Sequence, residues 1–406
     1  MKELEPKSTQ TTVEPQGMLV GIEAYDKAFT LRPAPELRLP AALERAKALE
    51  LSSESLLGRD TVLIVLQASG LPRVYMPPRV LYPPSTNEIY LQAYGNYNGV
   101  NLPADDVYVL VNNEQTLGYL QRSSLWSAIT DVVATAQAYL SKETPLLVAG
   151  GVQPCFRREA QADIRPGWKE LGFTQADIEI AALTSESQSK QDVDVLAIRK
   201  MVEFARAAGI PEEMIQIRIN NASGILYSVL ANLPFREAEQ FGLQVVNEIA
   251  AGRVRGDMEK MINMQNRATD IIQGWLSEGS ISSETGDFLS QLVNDGTYNE
   301  TYLKAAGVLD VLSDLKMARD EVRAAFPKAS IAVDPLSIRS GYDRTTMQLD
   351  VITPNAQFAE VGGGGAYELA AKRSWQLQFG EPAPQEFYMV GFAIGLVRLK
   401  TVKDQL

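Results

Sequence analysis

The sequence predicts an α/β or α+β fold in which helices flank a mainly antiparallel sheet and a helical insertion splits that sheet. Strand-like patterns concentrate before residue 193 and after residue 330, whereas the residues between have mostly helical spacing. The 406 residues are 45% hydrophobic and 22% charged, a globular composition with enough apolar side chains for a substantial core.

The part before residue 193 contains two predicted helices and several predicted strands. Apolar residues recur at helical spacing in Leu39–Leu57, and Ser123–Leu140 is an alanine-rich segment closed by Pro145. The proline-rich stretch Met76–Ser85 is expected to be extended or turning, because proline disfavours the helical conformation in the residue before it. The predicted strands are Thr61–Gln67, Val107–Asn112, Leu146–Val148, Cys155–Glu159 and Phe173–Ala182.

The remainder of the chain is predicted as a helical block followed by a return to strands. The predicted helices are Val193–Ala208, Phe235–Glu278, Ser282–Val293 and Glu300–Phe326, the last of them stopped by Pro327. The predicted strands are Ile215–Ile219, Ile331–Val333, Thr346–Ile352 and Phe387–Phe392. The polar residues 1–17 are expected to form a frayed tail.

Charge and residue counts exclude several classes of function. With 38 lysines and arginines against 50 aspartates and glutamates, the net charge is -12, which disfavours non-specific binding to nucleic acid or anionic lipid. The absence of histidine excludes a Ser-His-Asp triad and a histidine zinc site. Cys155 is the only cysteine and is interpreted as a buried strand residue. With no apolar run of bilayer length and no secretory signal, the protein is expected to be cytoplasmic, with no membrane contact.

Two neighbouring predicted strands concentrate fixed charges. Cys155-Phe-Arg-Arg-Glu159 contains arginines, whose planar fork suits phosphate. On the next strand, alternation places Gln175, Asp177 and Glu179 on one face, where carboxylates suit an ammonium group or Mg²⁺. An ion-paired sheet face without a ligand is the alternative.

The C-terminal part adds two further candidate segments. Val390–Leu399 is interpreted as an apolar strand that turns at Gly395 into a helix carrying Arg398, which is either a phosphate site or a surface arginine. The run Gly362–Gly365 either lets the backbone approach a ligand closely or forms a flexible turn.

These segments occur in the order, and at about the spacing, found in one known family. Phe156-Arg157-x-Glu159 followed by Phe173-x-Gln175-x-Asp177-x-Glu179, and the segment 391–399, look like motifs 2 and 3 of class II aminoacyl-tRNA synthetases. Segments 339–345 and 363–368 resemble the signature and the glycine-rich strand of the histidyl-tRNA synthetases, and Asn113-Glu114-Gln-Thr116 occupies the place of their Pro-Glu-Gly-Thr. The resemblance covers residues 60 to 400 and implies an α+β class II fold: a first part at 18–192, a helical insertion at 193–330 and a second part at 331–406.

The resemblance implies ATP and Mg²⁺ as cofactors and an amino acid as substrate. It assigns the α-phosphate to Arg157, the γ-phosphate to Arg398, and the reacting carboxylate with the α-phosphate to Arg339. Glu159 is implied near the adenine. The residues implied to hold the amino acid are Glu114, Gln175, Glu179, Tyr342, Gly364 and Tyr367.

Departures from the family pattern fall mainly on side-chain recognition. Asp343 and Arg344 stand at or near two family tyrosines, and Ala366 replaces an arginine, so histidine is not the expected substrate. An inward Asp343 would select a basic substrate and an inward Arg344 an acidic one, while a surface ion pair between them would select neither.

Two functions remain open at this stage. One is ATP-dependent formation of an aminoacyl-adenylate; the other is a non-catalytic role like that of the regulatory subunit of ATP phosphoribosyltransferase. The chain ends seven residues after Leu399, which leaves no room for the family's anticodon-binding domain, so conventional tRNA binding is not expected. The resemblance also implies a homodimer.

Overall fold

The computed structural model describes residues 36–38, 47–78, 81–82, 89, 92–93, 109–112, 115–120, 124–156, 172–339, 341–353 and 358–406. The strands within these ranges are β1 (Glu36–Arg38), β2 (Arg73–Met76), β3 (Leu81–Tyr82), β4 (Val109–Asn112), β5 (Gln115–Leu120), β6 (Leu146–Phe156), β7 (Gly172–Leu183), β8 (Ile215–Asn220), β9 (Ser330–Val333), β10 (Thr346–Ile352), β11 (Phe358–Ala366) and β12 (Phe387–Gly395).

The helices flank and separate these strands. They are α1 (Ser53–Ala68), α2 (Leu125–Ser127, continued by the π-helical Ala128–Val132 and by Val133–Tyr139), α3 (Lys190–Ala207), α4 (Leu226–Val229), α5 (Phe235–Phe241, continued by the π-helical Gly242–Val246), α6 (Asn247–Arg255), α7 (Met258–Ser277), α8 (Ser283–Asp295), α9 (Glu300–Ala305), α10 (Leu309–Ala325), α11 (Glu368–Phe379) and α12 (Leu396–Lys403). In the part of the chain that the structure describes, no helix is long and apolar enough to cross a bilayer.

Eight of the described strands form the main sheet, in the order β2-β6-β7-β12-β11-β10-β8-β9. The two outer pairs, β2 with β6 and β8 with β9, are parallel, and the five pairs between them are antiparallel. A smaller sheet has the order β1-β4-β5-β3. The predicted α+β class with a mainly antiparallel sheet flanked by helices is confirmed.

One face of the main sheet is apolar because alternate strand residues are β-branched or aromatic. Ile178 and Ile180 of β7 and Phe392 and Ile394 of β12 are at most 2% exposed on this side. Helices α1, α3 and α12 pack against these strands. Removing this much apolar surface from water, at about 25 cal/mol per Å², is the main force that holds the helices on the sheet.

A second core covers one end of the opposite face. Leu147 of β6, Phe387 of β12 and Trp375 of α11 belong to it, together with Trp126 and Ile129 of α2. Helices α2 and α11 therefore close this end, and the apolar side chains give way to polar ones further along the same face.

Helical packing overrides strand propensity at one predicted strand. The prediction of a strand at Thr61–Gln67 is wrong, because these residues lie within α1. The N-terminus of α1 is capped by Ser52, whose side chain accepts a hydrogen bond from the Ser55 backbone N–H at 3.2 Å. Val62, Val65 and Leu66 are buried at helical spacing, and this pattern prevails over the β-branched composition.

Most other predicted elements are confirmed within one to three residues. The helix predicted at Leu39–Leu57 is not: residues 39–46 lie outside the described residues, residues 47–50 are helical, and the chain turns at Leu51 and Ser52 before α1 begins at Ser53. The single helix predicted at Glu300–Phe326 is divided into α9 and α10, and two strand predictions also differ. The strand predicted at 146–148 and the described residues Cys155 and Phe156 of the strand predicted at 155–159 belong to one strand, β6, which includes two glycines and Pro154; residues 157–159 lie outside the described residues. The glycine run at 362–365 belongs to β11 and does not form a turn. The predicted boundaries of the insertion remain predictions; β8 lies between them and pairs with β10.

Candidate functional site

The apolar face has a polar counterpart on the other side of the sheet. Alternation along β7 places Gln175, Asp177 and Glu179 on this face, as predicted, and they lie opposite Gly395, Ala393 and Gly391 of β12. Ala393 and Gly391 pair in turn with Gly363 and Gly365 of β11, so these two glycines lie on the same face. We call this surface the polar face; it consists of Gln153, Gln175, Asp177, Glu179, Gly391, Ala393, Gly395, Gly363, Gly365 and Gln348.

Glycines on the polar face provide the space in which the functional side chains lie. The carboxylate of Glu179 fills the position that a side chain at Gly391 would occupy, and the guanidinium of Arg339 does the same over Gly363. A Cβ at Gly365 would come within 2.8 Å of Cγ of Tyr342. The glycine-rich composition of β11 and β12 therefore admits these three side chains close to the backbone.

The acidic end of the polar face contains two buried carboxylates. Asp177 is 0% exposed and Glu179 is 3% exposed. The hydroxyl of the buried Tyr367 donates a short hydrogen bond to Glu179 Oε2. Asp177 Oδ1 accepts a hydrogen bond from the Gly151 N–H at 3.1 Å, while Oδ2 is buried and has no hydrogen-bond partner among the described residues.

Burial controls the protonation of this acidic end. Burial raises the pKa of Asp177 to about 8, although the hydrogen bond from Gly151 lowers it in part. Burial, together with the nearby charge of Asp177, raises the pKa of Glu179 well above its ordinary value, and the hydrogen bond from Tyr367 acts in the opposite direction. Burial therefore favours the protonated form of both carboxyl groups, and an approaching cation would favour the ionised form.

Gln175 is fixed beside the acidic end by the start of α2. Its Oε1 accepts a hydrogen bond from the Ser124 backbone N–H at 3.0 Å, and the thiol of Cys155 lies 3.5 Å from the same oxygen. Cys155 is 0% exposed, in agreement with its interpretation as a buried strand residue. The side-chain oxygen of Gln175 therefore already accepts a hydrogen bond from the protein, unlike Oδ2 of Asp177.

The basic end of the polar face is formed by Arg339. Its Nη2 donates to Glu360 Oε1 at 2.6 Å and to the Gly362 carbonyl oxygen at 3.4 Å. Its Nε is buried and has no acceptor among the described residues. Burial raises the pKa of Glu360, but the positive charges of Arg339 and Arg398 outweigh this effect and hold that pKa below its ordinary value.

Arg398 and Tyr342 complete the described part of the site. Arg398 lies near the start of α12, directly after β12 ends at Gly395, so the predicted strand-to-helix turn is confirmed. Tyr342 lies between the two ends of the site, with its ring centroid 6.4 Å from that of Tyr367. Burial raises the pKa of Tyr342 to about 12, and the charges of Arg339 and Glu179 act on it in opposite directions.

Asp343 and Arg344 do not form the pocket wall that an inward orientation would require. Asp343 accepts hydrogen bonds from the backbone N–H groups of Glu368 at 3.3 Å and Leu369 at 2.7 Å, and so caps α11. The guanidinium of Arg344 lies 6.0 Å from the ring centroid of Tyr388, whose hydroxyl donates to Asp194 at 2.5 Å. Both side chains therefore serve the packing of helices against the sheet.

The structure brings together six of the predicted site residues and places a seventh differently. Gln175, Glu179, Arg339, Tyr342, Tyr367 and Arg398 lie on or beside the polar face. Gly364 pairs with Phe392, a residue of the opposite face, so the glycines beneath the site side chains are Gly363 and Gly365. The predicted residues Glu114, Arg157 and Glu159 lie outside the described residues.

Sequence reasoning missed two residues: Glu360, which pairs with Arg339, and Gly391, which leaves space for the Glu179 carboxylate. The signal for Gly391 was present, because a glycine directly across from an acidic residue admits a side chain folded over the sheet. For a metal, the described residues contain no group of three or more acidic or cysteine side chains that would hold an ion.

Comparisons of the structure with solved structures agree with this architecture, although comparisons of the sequence find no match. No model of a known protein family matches the sequence, and no curated protein matches it. Among solved structures, an ATP phosphoribosyltransferase regulatory subunit/histidyl-tRNA synthetase from Bacillus halodurans matches with a TM-score of 0.60 and 12% identity over 86% of this chain and 79% of that one. A histidyl-tRNA synthetase from Nostoc sp. PCC 7120 matches with a TM-score of 0.56 and 17% identity over 86% and 70%. A histidine–tRNA ligase subunit from Alicyclobacillus acidocaldarius matches with a TM-score of 0.53 and 15% identity over 86% and 92%.

The fold is therefore that of the class II aminoacyl-tRNA synthetases. Its solved neighbours include histidyl-tRNA synthetases, so the resemblance seen in the sequence is confirmed at the level of the fold.

Proposed function

We propose that this protein binds an amino acid on the polar face and activates it with ATP, forming an aminoacyl-adenylate and pyrophosphate. The observation that carries the proposal is a pair of complementary, incompletely bonded groups on one sheet face. Asp177 Oδ2 lacks a donor, and Arg339 Nε lacks an acceptor, among the described residues. An amino acid can bring both kinds of partner, because ammonium groups donate hydrogen bonds and carboxylates accept them.

The spacing of the two ends supports a ligand of this size. Asp177 lies directly across from Ala393, which lies directly across from Gly363 beneath Arg339. Two strand spacings of about 4.8 Å separate the two ends, so roughly 10 Å is available. Ala393 and Gly363 are part-exposed, which leaves this row of the sheet accessible.

In the proposed reaction, a carboxylate oxygen of the amino acid attacks the α-phosphorus of ATP and pyrophosphate leaves. Arg339 would hold the carboxylate through charge-assisted hydrogen bonds and orient the attacking oxygen. Arg398 would stabilise the negative charge of the departing phosphates. Mg²⁺, when it binds with ATP, would neutralise part of the phosphate charge.

A non-catalytic, amino-acid-sensing role is the second candidate, and one observation favours it. The Nη2 of Arg339 is already paired with Glu360 at 2.6 Å, so an internal carboxylate competes with a phosphate for this arginine. A sensor would need the ammonium and carboxylate contacts but no nucleotide.

Pyrophosphate exchange across the twenty amino acids, combined with calorimetry, distinguishes the two candidates. Exchange dependent on one amino acid other than histidine, and abolished by Arg339→Ala, is the result expected for the enzyme. Amino-acid binding without ATP binding or exchange would replace the catalytic proposal with the sensor. Arg319→Ala is the matched control, because Arg319 lies on α10 and pairs with its exposed neighbour Asp320.

We also propose a homodimer, in keeping with the one that the family resemblance implies. Leu51, Leu56 and Ile64, in and before α1, are 66%, 41% and 51% exposed, and such exposed apolar side chains suit an interface. Sedimentation at micromolar concentration should give twice the 44.6 kDa monomer mass, and a monomer would refute this part of the proposal.

A further inference from the structure

The polar face contains one buried carboxylate more than a single α-ammonium group needs. Asp177 and Glu179 lie two residues apart on the same face of β7, and both are nearly inaccessible to solvent. Asp177 uses Oδ1 for the Gly151 N–H, and its buried Oδ2 has no partner among the described residues. A buried carboxylate oxygen without a donor is costly, so this atom marks a position where a ligand donor would be stabilising.

The two carboxylates lean in opposite directions across the sheet. Glu179 folds over Gly391 of β12, toward β11 and Arg339, whereas Asp177 is bound to Gly151 of β6, away from Arg339. The order of charges across the sheet is therefore Arg339, Glu179 and then Asp177. An α-amino group lies close to its own carboxylate, so the α-ammonium of a ligand held by Arg339 meets Glu179 first.

Other charged side chains near this end are already committed elsewhere. Asp343 caps α11, and Arg344 lies against Tyr388 near Asp194. The side-chain oxygen of Gln175 accepts from Ser124. Asp177 is thus the ionisable group, within the described part of the site, that is available to a ligand side chain.

Building on the proposed function, we propose that the amino acid has a cationic side chain, as in lysine, ornithine or arginine, and that Asp177 selects it. The ligand carboxylate would meet Arg339, its α-ammonium Glu179, and its side-chain cation Asp177. Two ligand cations would then face two carboxylates, and one ligand carboxylate would face one guanidinium. A neutral side chain would leave Asp177 Oδ2 without a donor, and an acidic one would repel it.

The distance between the two carboxylates suits an aliphatic stem. From Gly391 of β12, over which Glu179 lies, to Gly151 of β6, toward which Asp177 leans, there are two strand spacings across the sheet and two residues along it, a diagonal of roughly 12 Å. After a hydrogen-bond length of about 2.8 Å at each end, about 6 Å remains between the two ligand nitrogens, which fits the stem of ornithine or lysine.

Calorimetry on the full chain at pH 7 tests the inference with L-lysine, L-ornithine, L-arginine and the neutral lysine isostere L-norleucine. We expect at least one basic amino acid to bind at least tenfold more tightly than norleucine. Asp177→Asn keeps the oxygen that accepts from Gly151 and should reduce this preference to twofold or less, with norleucine affinity nearly unchanged. Asp194→Asn is the matched control, because Asp194 is also a buried aspartate but lies in the network of Tyr388 and Thr345.

The outcomes separate this inference from the proposed function. Two results would overturn the role of Asp177 while leaving amino-acid activation intact. One is that norleucine binds as tightly as the basic amino acids or more tightly. The other is that the preference for a basic amino acid over norleucine survives in Asp177→Asn but is lost in the control Asp194→Asn. Absence of binding and of pyrophosphate exchange with every amino acid would overturn both. If Asp177→Asn does not fold, the comparison of lysine with norleucine on the wild-type protein decides alone.

Discussion

The guanidinium of Arg339 lies in the space above Gly363, where any larger residue would place its Cβ. This contact links the backbone of β11 to the orientation of the arginine proposed to bind the substrate carboxylate. Arg339 also donates to Glu360 and to the Gly362 carbonyl, so its position depends on three points along one strand. The glycine-rich sequence of β11 is therefore a requirement of the site as well as of the sheet.

Gly363→Ala should impair ligand binding far more than folding. The added methyl group would displace the guanidinium, a flexible side-chain end, and leave the β-sheet pairing intact. Loss of the Arg339 contacts is expected to cost about 1.5–3 kcal/mol of binding free energy, the range for hydrogen bonds to charged groups. Calorimetric titration with the preferred amino acid measures this loss.

Gly274→Ala is the matched control for that substitution. Gly274 lies in α7, and a Cβ there would meet no other atom within 4 Å. Alanine in a helix interior is about 0.5–1 kcal/mol more stable than glycine, so this variant should melt at a higher temperature and bind normally. Unchanged ligand affinity in Gly363→Ala would contradict the placement of Arg339.

Tyr367→Phe should lower stability by removing the donor to Glu179. The Glu179 carboxylate is buried, and within the described part of the chain Tyr367 is the side chain that donates a hydrogen bond to it. Leaving such a group without its donor costs about 1–3 kcal/mol. Chemical denaturation measures the difference, and Tyr139→Phe, at a tyrosine that is 62% exposed on α2, should have no effect.

Arg218→Met should be among the most destabilising single substitutions on the polar side of the sheet. Arg218 of β8 donates to Asp350 of β10 at 2.7 Å and to Asp334 at 3.0 Å. Its removal leaves the fully buried Asp350 without its cation, which costs about 3–5 kcal/mol. Asp334→Asn should cost less, about 1 kcal/mol, because the Asp334 side chain is 20% exposed. Equal losses in the two variants, measured by denaturation, would refute this ranking.

The sequence was sufficient to predict the sheet and much of the site, for physical reasons that particular residues make clear. Alternation fixed the common face of Gln175, Asp177 and Glu179, since side chains in a strand point to opposite sides in turn. Thr61–Gln67 was predicted wrongly because local β-propensity does not include the packing of α1 on β6 and β7.

The orientation of individual site side chains was beyond prediction from the sequence. Whether Asp343 or Arg344 pointed inward depended on the start of α11 and on Asp194, which is distant in sequence. The side chains of Asp177 and Glu179 point in opposite directions across the sheet. These directions likewise depend on Gly151 and Gly391, which only strand pairing brings beside them.

The pH dependence of stability should reveal the buried carboxyl of Asp177. Its pKa is raised from 3.8 to about 8, mainly by burial, so between these values the folded state binds a proton that the unfolded state has lost. The stability gained from this proton is complete below pH 3.8 and is lost as the pH rises through about 8. One such group changes the free energy of unfolding by up to about 1.4 kcal/mol per pH unit in this window.

Asp177→Asn should remove the loss of stability that the Asp177 carboxyl causes as the pH rises. The difference in melting temperature, variant minus wild type, is expected to increase from about pH 5 to about pH 8 and to level off above that. The same substitution removes the charge that raises the pKa of Glu179, which acts in the same direction. A saturating cationic ligand should flatten the wild-type profile in the same way, because it replaces the proton on the carboxylate, and it should release protons on binding near pH 7. Parallel melting profiles for the two proteins across this pH range would show that Asp177 is ionised in the folded state.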